Sequence, residues 1–326
     1  MNTNSSLYKE LTHDEIRTIV NVNFKTDVLQ EASLLEGGLF NTTYKICYGN
    51  DIRQAVLRCG PVNRHLLMAI EEQLMQAERY VYELCEINKV PCSNVLVCDS
   101  SRKIIDRDYM IVEYIESIPL SDVRIDKNQK ADLHAQIGRY MKQFHSITNN
   151  KFGRVSYLVS GKTFCSWYDY LIAEIDDITE NSRKYNAFTD TEVDLIRSAF
   201  IKHKQLLDDI TIPHLVHTDL WDGNVLITQK NDKYDVAAII DADRAVFGDV
   251  DFEFASPWMI DKDFLNGYDM NFDFADFNSE DRQTRRKIYL ILYYLIEAYV
   301  GIAEYNNAKQ FDDYKKSVLA FASELS

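Results

Sequence analysis

One short stretch of the chain combines residue types and spacings that suit the transfer of a phosphoryl group. Asp219 is followed five residues later by Asn224, and residues 225–227 after them are apolar. Phosphoryl transfer needs a carboxylate beside the acceptor hydroxyl, to orient it and to take its proton. It also needs oxygen ligands for magnesium, because the metal ion neutralises charge on the phosphates. A loop between Asp219 and Asn224 would let both side chains point into one cleft, with the apolar run anchoring it in the core.

A second group of carboxylates follows an apolar segment. Residues 236–240 predict a buried strand, and an Asp-Ala-Asp tripeptide begins at Asp241 directly after it. The spacing of His217, Asp219 and Asn224 is that of the catalytic loop of kinases, H-x-D-x-x-x-x-N. In the kinase scaffold the main metal ligand stands at the end of a strand that follows this loop through a hairpin. Asp241 has that position, although Asp-Ala-Asp replaces the usual Asp-Phe-Gly.

These motifs resemble those of the aminoglycoside phosphotransferase and choline kinase superfamily, from roughly residue 30 onward. The superfamily pattern ends in G-D-x-x-x-D-hydrophobic-A, and residues 248–255 read GDVDFEFA. The resemblance implies an α+β, two-lobe protein-kinase-like fold, with a small β-rich N-terminal lobe and a larger, mostly helical C-terminal lobe. It also implies roles for individual residues. Asp219 would be the catalytic base, and His217 would shape the catalytic loop. Asn224 and Asp241 would be the magnesium ligands, and Asp243 would help to order the metal site.

The same resemblance places the donor nucleotide, ATP or GTP, against the N-terminal strands. A tight glycine turn lets backbone N–H groups approach phosphates. Gly37 and Gly38 stand between two predicted strands and are followed by Asn41 and Thr42. The turn is looser than the full glycine-rich loop of protein kinases. We expect these four residues to contact the nucleotide.

Arg58 takes the position of the kinase lysine that pairs with the phosphates. Arginine keeps its charge and can grip a phosphate with two hydrogen bonds, so the role can survive this departure from the pattern. Its expected partner on the following helix is Glu78, with Glu71 and Glu72 as rivals. The adenine would contact the backbone of the hinge strand, at Glu113 to Ile115.

Acidic residues dominate the segment between Asp249 and Asp281. The superfamily places the acceptor pocket near this segment, and an acidic pocket would bind a cationic aminoglycoside or related aminosugar by charge pairing. The candidates for acceptor contact are Asp249, Asp251 and Glu253. The alternative is a solvated acidic loop without substrate contact.

Other functions remain open at this point. Residues 219–224, DLWDGN, are similar to the motif of fructosamine kinases, so a ketosamine is the second candidate for the acceptor, after an aminoglycoside. Choline, macrolides and homoserine are further candidates. A protein kinase is disfavoured, because segment 241–248 is too short to dock a peptide and the H-R-D and A-P-E motifs are missing. A nucleotide-binding pseudokinase finds support only in Arg58 and the Asp-Ala-Asp tripeptide.

The composition narrows the partners and the compartment. The 326 residues carry a formal net charge of −15, and six cysteines occur without a C-x-x-C pair. A protein surface with this net negative charge repels nucleic acids and anionic membranes. The apolar run 288–302 is shorter than the roughly 20 residues of a membrane span, and the first residues show no signal-peptide pattern. We therefore expect a cytoplasmic monomer or homodimer that binds no nucleic acid and no membrane.

Hydrophobic periodicity divides the chain into two lobes. It predicts a capped helix after Thr12, a long helix over 65–87, and strands at 32–35, 42–48, 54–59, 94–98 and 109–115. The later part is mostly helical, at 129–147, 164–180, 190–208, 281–305 and 308–325, with strands at 224–228 and 234–241. We expect an N-terminal nucleotide-binding lobe, residues 1–115, and a C-terminal catalytic and substrate-binding lobe, residues 116–326.

Overall fold

The N-terminal part of the computed structural model is an antiparallel sheet with a helix on each face. The structure describes residues 5–35, 40–231, 233–256 and 258–326. Five strands pair in the order β1-β2-β3-β5-β4, and every neighbouring pair is antiparallel. The elements are α1 (His13–Phe24), β1 (Leu29–Leu35), β2 (Thr42–Tyr48), β3 (Arg53–Cys59), α2 (Leu74–Ile87), β4 (Val95–Asp99) and β5 (Tyr109–Glu113).

Alternating side chains explain why this sheet has helices on both faces. Ile111 of β5 is buried in one cluster with Ile19 of α1, whereas its neighbour Val112 belongs to a second cluster with Val81 of α2. Successive residues of a strand point to opposite faces, so one strand serves both cores. The helix predicted after Thr12 is present, with the expected capping box at its start.

The helix expected over 65–87 begins only at Leu74. Two short 3₁₀ turns, Arg64–Leu66 and Ala69–Glu71, precede it. Gln73, directly before the helix, has a left-handed backbone with a φ angle of 61°. The apolar periodicity of the sequence therefore continues through a segment in which the chain changes direction, and the prediction was wrong for its first nine residues.

The segment 63–73 leaves the sheet and packs on the C-terminal helices. Met68 and Ile70 are buried in the same cluster as residues of those helices. The phenol oxygen of Tyr299 donates a hydrogen bond to the backbone oxygen of Leu66, at 2.6 Å. This segment thus links the two parts of the molecule.

The C-terminal part is mostly helical, which confirms the predicted two-lobe α+β fold; the boundary at residue 115 stays a prediction. Two three-stranded sheets, β10-β9-β6 and β7-β11-β8, lie within it. Within the described ranges, no helix combines the length and the apolar character that a membrane crossing needs. The elements are β6 (Ile118–Pro119), α3 (Lys127–His145), β7 (Gly153–Arg154), α4 (Val155–Val159), α5 (Trp167–Ser182), α6 (Asp190–Lys202), α7 (Lys204–Asp208), β8 (His214–Val216), β9 (Val225–Lys230), β10 (Lys233–Ile239), β11 (Val246–Gly248), α8 (Asp251–Phe254), α9 (Lys262–Tyr268), α10 (Phe274–Phe277), α11 (Glu280–Tyr299) and α12 (Ala308–Leu325).

Helices α3 and α9 approach each other so closely that only glycine fits at the contact. A Cβ atom on Gly267 would lie 2.0 Å from the backbone oxygen of Ala135. We expect Gly267→Ala to lower the free energy of unfolding by about 1–3 kcal/mol, because the backbones must separate. Urea unfolding measures this loss. Gly60→Ala is the control, since its added carbon would come no closer than 3.4 Å to a neighbour; equal effects of the two variants would contradict the close packing.

Candidate active site

A large cavity lies between the sheet and the C-terminal helices, with a volume of about 1080 Å³. Its walls come from both parts of the chain, and they include most of the residues singled out in the sequence. The predicted site residues that line it are Asn41, Arg58, Glu113, Ile115, Asp219, Asn224, Asp241 and Asp243. The fold therefore brings together residues separated by up to 202 positions, from Asn41 to Asp243.

The loop that follows β8 is held in place from behind by His217. This histidine is fully buried, and its backbone N–H donates to Oε2 of Glu253 at 2.8 Å. The backbone N–H of Asp219 donates to Nδ1 of His217 at 3.3 Å, which leaves Nε2 to donate to the backbone oxygen of Ile240 at 3.0 Å. His217 thereby ties the loop to the end of β10, as its predicted loop-shaping role requires.

Asn224 orients the carboxylate of Asp219. Its amide nitrogen donates to the backbone oxygen of Asp219 at 2.7 Å and to Oδ2 of the same residue at 3.1 Å. The amide oxygen of Asn224 then remains available as a ligand for a metal ion. Burial, followed by the nearby Asp241 carboxylate, raises the pKa of Asp219 to about 6, against the opposing effects of His217 and Arg244. A carboxylate with a pKa close to the working pH is suited to accept a proton.

Three carboxylates form a compact group beside this loop. Glu78, Asp241 and Asp243 each offer an oxygen, and these oxygens lie within 4.8 Å of one another. Asp241 has a left-handed backbone with a φ angle of 64°, so the chain turns sharply where β10 ends. Burial, and then Asp241 and Glu78, raise the pKa of Asp243 well above its ordinary value. The second carboxylate oxygen of Glu78 is buried and has no hydrogen-bond partner.

This donor set fits a magnesium ion. Magnesium prefers oxygen ligands from one or two carboxylates together with substrate phosphates. The three carboxylates and the amide oxygen of Asn224 are ligands of that kind, and the unpartnered oxygen of Glu78 shows that the group is not satisfied by the protein alone.

Arg58 bridges the carboxylate group and the sheet. Its guanidinium contacts Glu78 through one nitrogen and Asp241 through the other. Although burial opposes it, the two carboxylates raise the pKa of Arg58. The predicted contact with Glu78 is therefore present. The rival Glu71 instead forms an ion pair with Arg244 at 2.7 Å, and Glu72 is exposed.

The nucleotide-facing residues are placed only partly as expected. Asn41 lines the cavity, and its side-chain oxygen is buried without a hydrogen-bond partner. Thr42 points the other way: its hydroxyl donates to the backbone oxygen of Lys9 at 2.9 Å and accepts from Arg107 at 2.9 Å. Thr43, one position on, lines the cavity instead. The prediction for Thr42 was wrong because neighbouring strand residues face opposite sides. Gly37 and Gly38 lie outside the described residues.

The acidic residues proposed for acceptor contact do not line the cavity. Asp249, Asp251 and Glu253 are all buried. Asp251 is paired with three arginines at 2.7–3.0 Å, and Asp249 is paired with one of them and with a tyrosine hydroxyl. Glu253 accepts the backbone N–H of His217. Glu253 therefore holds the base of the loop, whereas Asp249 and Asp251 bind side chains of α11. The prediction of substrate contact was wrong. The arginines are Arg282, Arg285 and Arg286.

We expect Asp251→Asn to destabilise the protein without weakening acceptor binding. The variant leaves three buried or half-buried guanidinium groups without their shared partner, so we expect it to lower the free energy of unfolding by about 3 kcal/mol. The acceptor KM of the remaining folded protein should stay unchanged. Chemical denaturation and steady-state kinetics measure the two quantities, with the exposed Asp281→Asn as the control. A raised acceptor KM without loss of stability would restore the substrate-contact interpretation.

Arg154 is a site residue that the sequence did not reveal. Its guanidinium donates to the hydroxyl of Thr218 at 3.0 Å, to the backbone oxygen of Arg244 and to Glu174 at 2.7 Å. Thr218 has a left-handed backbone with a φ angle of 67°, which Arg154 helps to hold. Since Arg154 stands 64 residues before the loop, no local motif could have indicated this contact.

The model of the phosphotransferase enzyme family matches residues 31–288 of the chain. The chain belongs to this family. The match confirms the predicted superfamily and the prediction of a phosphotransferase that acts on a hydroxyl group. No curated protein gives a significant sequence match.

Solved structures agree with this assignment at the level of the fold. Aminoglycoside phosphotransferase APH(4)-Ia superposes with a TM-score of 0.66 at 18% identity, covering 97% of this chain and 100% of that chain. A putative fructosamine-3-kinase from Thermobifida fusca gives 0.64 at 14% identity, covering 95% and 100%. The streptomycin–ATP complex of APH(2")-IIa gives 0.63 at 17% identity, covering 96% and 99%.

Proposed function

We propose that this phosphotransferase moves the γ-phosphoryl group of ATP or GTP to a hydroxyl of an amine-bearing small molecule of the aminosugar type. One observation carries the proposal: the half-buried carboxylate of Asp219 faces the same cavity as Arg58 and Asp241. A proton acceptor and a phosphate-binding group thus share one enclosed space, which in-line transfer requires.

Each residue of the site has a separate role in the proposed transfer. Asp219 would orient the acceptor hydroxyl and receive its proton, while Asn224 fixes the direction of that carboxylate. Asn224 and Asp241 would hold magnesium, with Asp243 beside them; when bound, the ion neutralises charge on the donor phosphates. Arg58 would contact the phosphates, and Asn41 with the backbone from Glu113 to Ile115 would position the nucleoside.

The solved structures support a nucleotide donor and leave its base open. APH(4)-Ia has been solved with AMP-PNP or ADP and hygromycin B, and APH(2")-IIIa with GDP and kanamycin. Those ligands suggest an aminoglycoside or another aminosugar as acceptor, and the putative fructosamine-3-kinase suggests a ketosamine as second candidate. A cytoplasmic location is also part of the proposal, because all six cysteines are free thiols.

The test is the release of nucleoside diphosphate. Purified protein is incubated with ATP or GTP, with and without magnesium, and with aminoglycosides, aminosugars, ketosamines, choline or homoserine. We expect magnesium-dependent release that one acceptor class stimulates and that Asp219→Asn abolishes. Stimulation by none of these acceptors, with nucleotide binding retained, would refute the proposed acceptor class and favour a nucleotide-binding pseudokinase.

A further inference from the structure

Helix α3 places a buried histidine between the catalytic loop, residues 219–224, and the start of α9. His134 is 3% exposed, and each of its ring nitrogens faces a carboxylate. Nδ1 lies 2.8 Å from Oδ2 of Asp261, and Nε2 lies 3.7 Å from Oδ1 of Asp222. Asp261 caps α9, because its Oδ1 accepts the backbone N–H of Phe264 at 2.9 Å. The ring is therefore within ion-pair distance of both segments.

The carboxylate of Asp222 is directed at α3. Its Oδ2 accepts a hydrogen bond from Nζ of Lys130 at 3.3 Å, while its Oδ1 faces His134. Both Oδ1 of Asp222 and Nε2 of His134 are buried, and within the described part of the chain neither has a hydrogen-bond partner. An unpaired buried polar atom lowers stability. A movement of about 1 Å would bring these two atoms to hydrogen-bond distance and remove both penalties.

The surroundings of His134 favour its protonated form. The charged groups that face the ring are Asp222 of the loop, Asp261 of α9 and Lys130, which lies one turn earlier on α3. Burial lowers the pKa of His134, but the two carboxylates outweigh burial and Lys130, so the pKa is raised. The pKa of Asp222 is lowered, chiefly by His134. A protonated imidazole donates from both nitrogens, so it can bind both carboxylates at once.

The position of Asp222 bears on the two side chains that act in the transfer. Asp222 stands three residues after Asp219, and the backbone N–H of Asn224 spans it to reach the backbone oxygen of Trp221 at 2.9 Å. Asn224 in turn donates to the carboxylate of Asp219 at 3.1 Å. A displaced Asp222 would therefore change the direction of the Asp219 carboxylate. Misplacements of about 1 Å are enough to slow a reaction that depends on orientation.

We infer that His134 is a positioning residue for phosphoryl transfer: its ring ties Asp222 of the catalytic loop to Asp261 at the start of α9. His134 acts through Asp222 and not by contact with the reacting atoms. The inference rests on the proposed function for the transfer itself, whereas the tie exists in the protein without substrate. Because the tie needs the protonated ring, it is complete at low pH and is lost as the pH rises through the pKa of His134.

The first measurement needs no substrate. NMR of nitrogen-labelled histidine rings follows the protonation of His134 through a pH titration, and the loss of one signal in His134→Gln assigns it. We expect both ring nitrogens to stay protonated to a pH above the ordinary range of histidine. Asp222→Asn removes one of the two facing charges and should lower the pKa of His134. A neutral ring at low pH, or the same titration in Asp222→Asn, would overturn the inference.

The second measurement separates the two ring nitrogens. The amide nitrogen of glutamine can replace Nε2, and that of asparagine can replace Nδ1. His134→Asn should lose the approach to Asp222 and lower kcat by about tenfold, the effect of one charge-assisted hydrogen bond. His134→Gln should retain more of the rate, and the nucleotide KM should stay unchanged in both. The exposed His65→Asn is the control and should behave as the wild-type protein does.

The dependence of kcat on pH distinguishes positioning from a merely structural role. Diphosphate release with ATP, magnesium and the stimulating acceptor should fall at high pH in the wild-type protein, and this fall should be missing in His134→Gln and in Asp222→Asn. Equal rates of the Asn and Gln variants, or an unchanged pH profile, would overturn the inference. If neither His134 variant folds, as thermal unfolding shows, an unaltered kcat in Asp222→Asn has the same meaning. The expected titration without any phosphoryl transfer would instead overturn the proposed function and leave the tie intact.

Discussion

Asp219→Asn is expected to lower kcat by roughly 10²–10⁴-fold, the range in which positioned general bases contribute. The substitution keeps the shape of the side chain and removes its ability to take a proton. Asn224 also donates to the backbone oxygen of residue 219, so the loop should keep its conformation. We therefore expect the nucleotide affinity to change by no more than a few-fold, as measured by titration with a non-hydrolysable analogue alongside initial rates.

The control for this variant is Asp235→Asn, which removes the same charge from an exposed position on β10. It should leave both the rate and the nucleotide affinity unchanged. If Asp219→Asn retained more than about a tenth of the wild-type rate, the role of catalytic base would have to pass to another group. A parallel loss of nucleotide affinity and folded structure would show that Asp219 acts through the architecture of the loop.

The second large effect is expected at the end of β10. Asp241→Asn should lower kcat/KM by about 10³-fold, because metal-assisted charge neutralisation is worth several kcal/mol. Asparagine is among the few residues that tolerate a left-handed backbone, so the φ angle of 64° should persist. The variant isolates the charge of the carboxylate from the geometry of the turn. Initial rates over a range of magnesium concentrations measure the effect.

Magnesium dependence gives this prediction its specificity. Loss of one ligand should raise the magnesium concentration needed for half-maximal rate, a shift that a merely structural role would not produce. Asp235→Asn, on the strand that precedes Asp241, again serves as the control. An unchanged magnesium requirement in Asp241→Asn would show that the ion is held elsewhere, although Asp241 would still contact Arg58.

The sequence predicted the parts of the site whose contacts are close in the chain. Asp219 and Asn224 stand five residues apart, and their spacing predicted that both side chains point into one cleft; the structure shows them in direct contact. The contact between Arg58 and Glu78 was predicted from the resemblance to kinases, in which a cation on the third strand pairs with a glutamate of the following helix. The sequence did not show on which face of the sheet the Thr42 side chain lies, because a shift of the strand register by one residue moves every side chain to the opposite face. The seven predicted strands are present to within a few residues, whereas the short strands β6, β7, β8 and β11 were not predicted.

Contacts between distant helices were beyond sequence reasoning. The acidic segment was interpreted as a cation site, because the arginine partners of Asp251 stand about thirty residues after it in the chain. They reach Asp251 only when α11 packs against α8. The role of Arg154 likewise depends on contacts with Thr218 and Glu174, which are distant from it in the chain. In each case the sequence showed the residue type, but it did not show which neighbouring residue in the fold decides the role.

The path of the 63–73 segment bears on how the protein unfolds. The backbone N–H of Ala69 donates to Asp177 of α5 at 3.0 Å, and Met68 and Ile70 share one cluster with Trp167. The sheet is therefore joined to the helical core between β3 and α2 as well as after β5. Units that share buried contacts of this kind lose structure together. The fluorescence of Trp167 would consequently report the melting of the sheet as well as that of the helices around it.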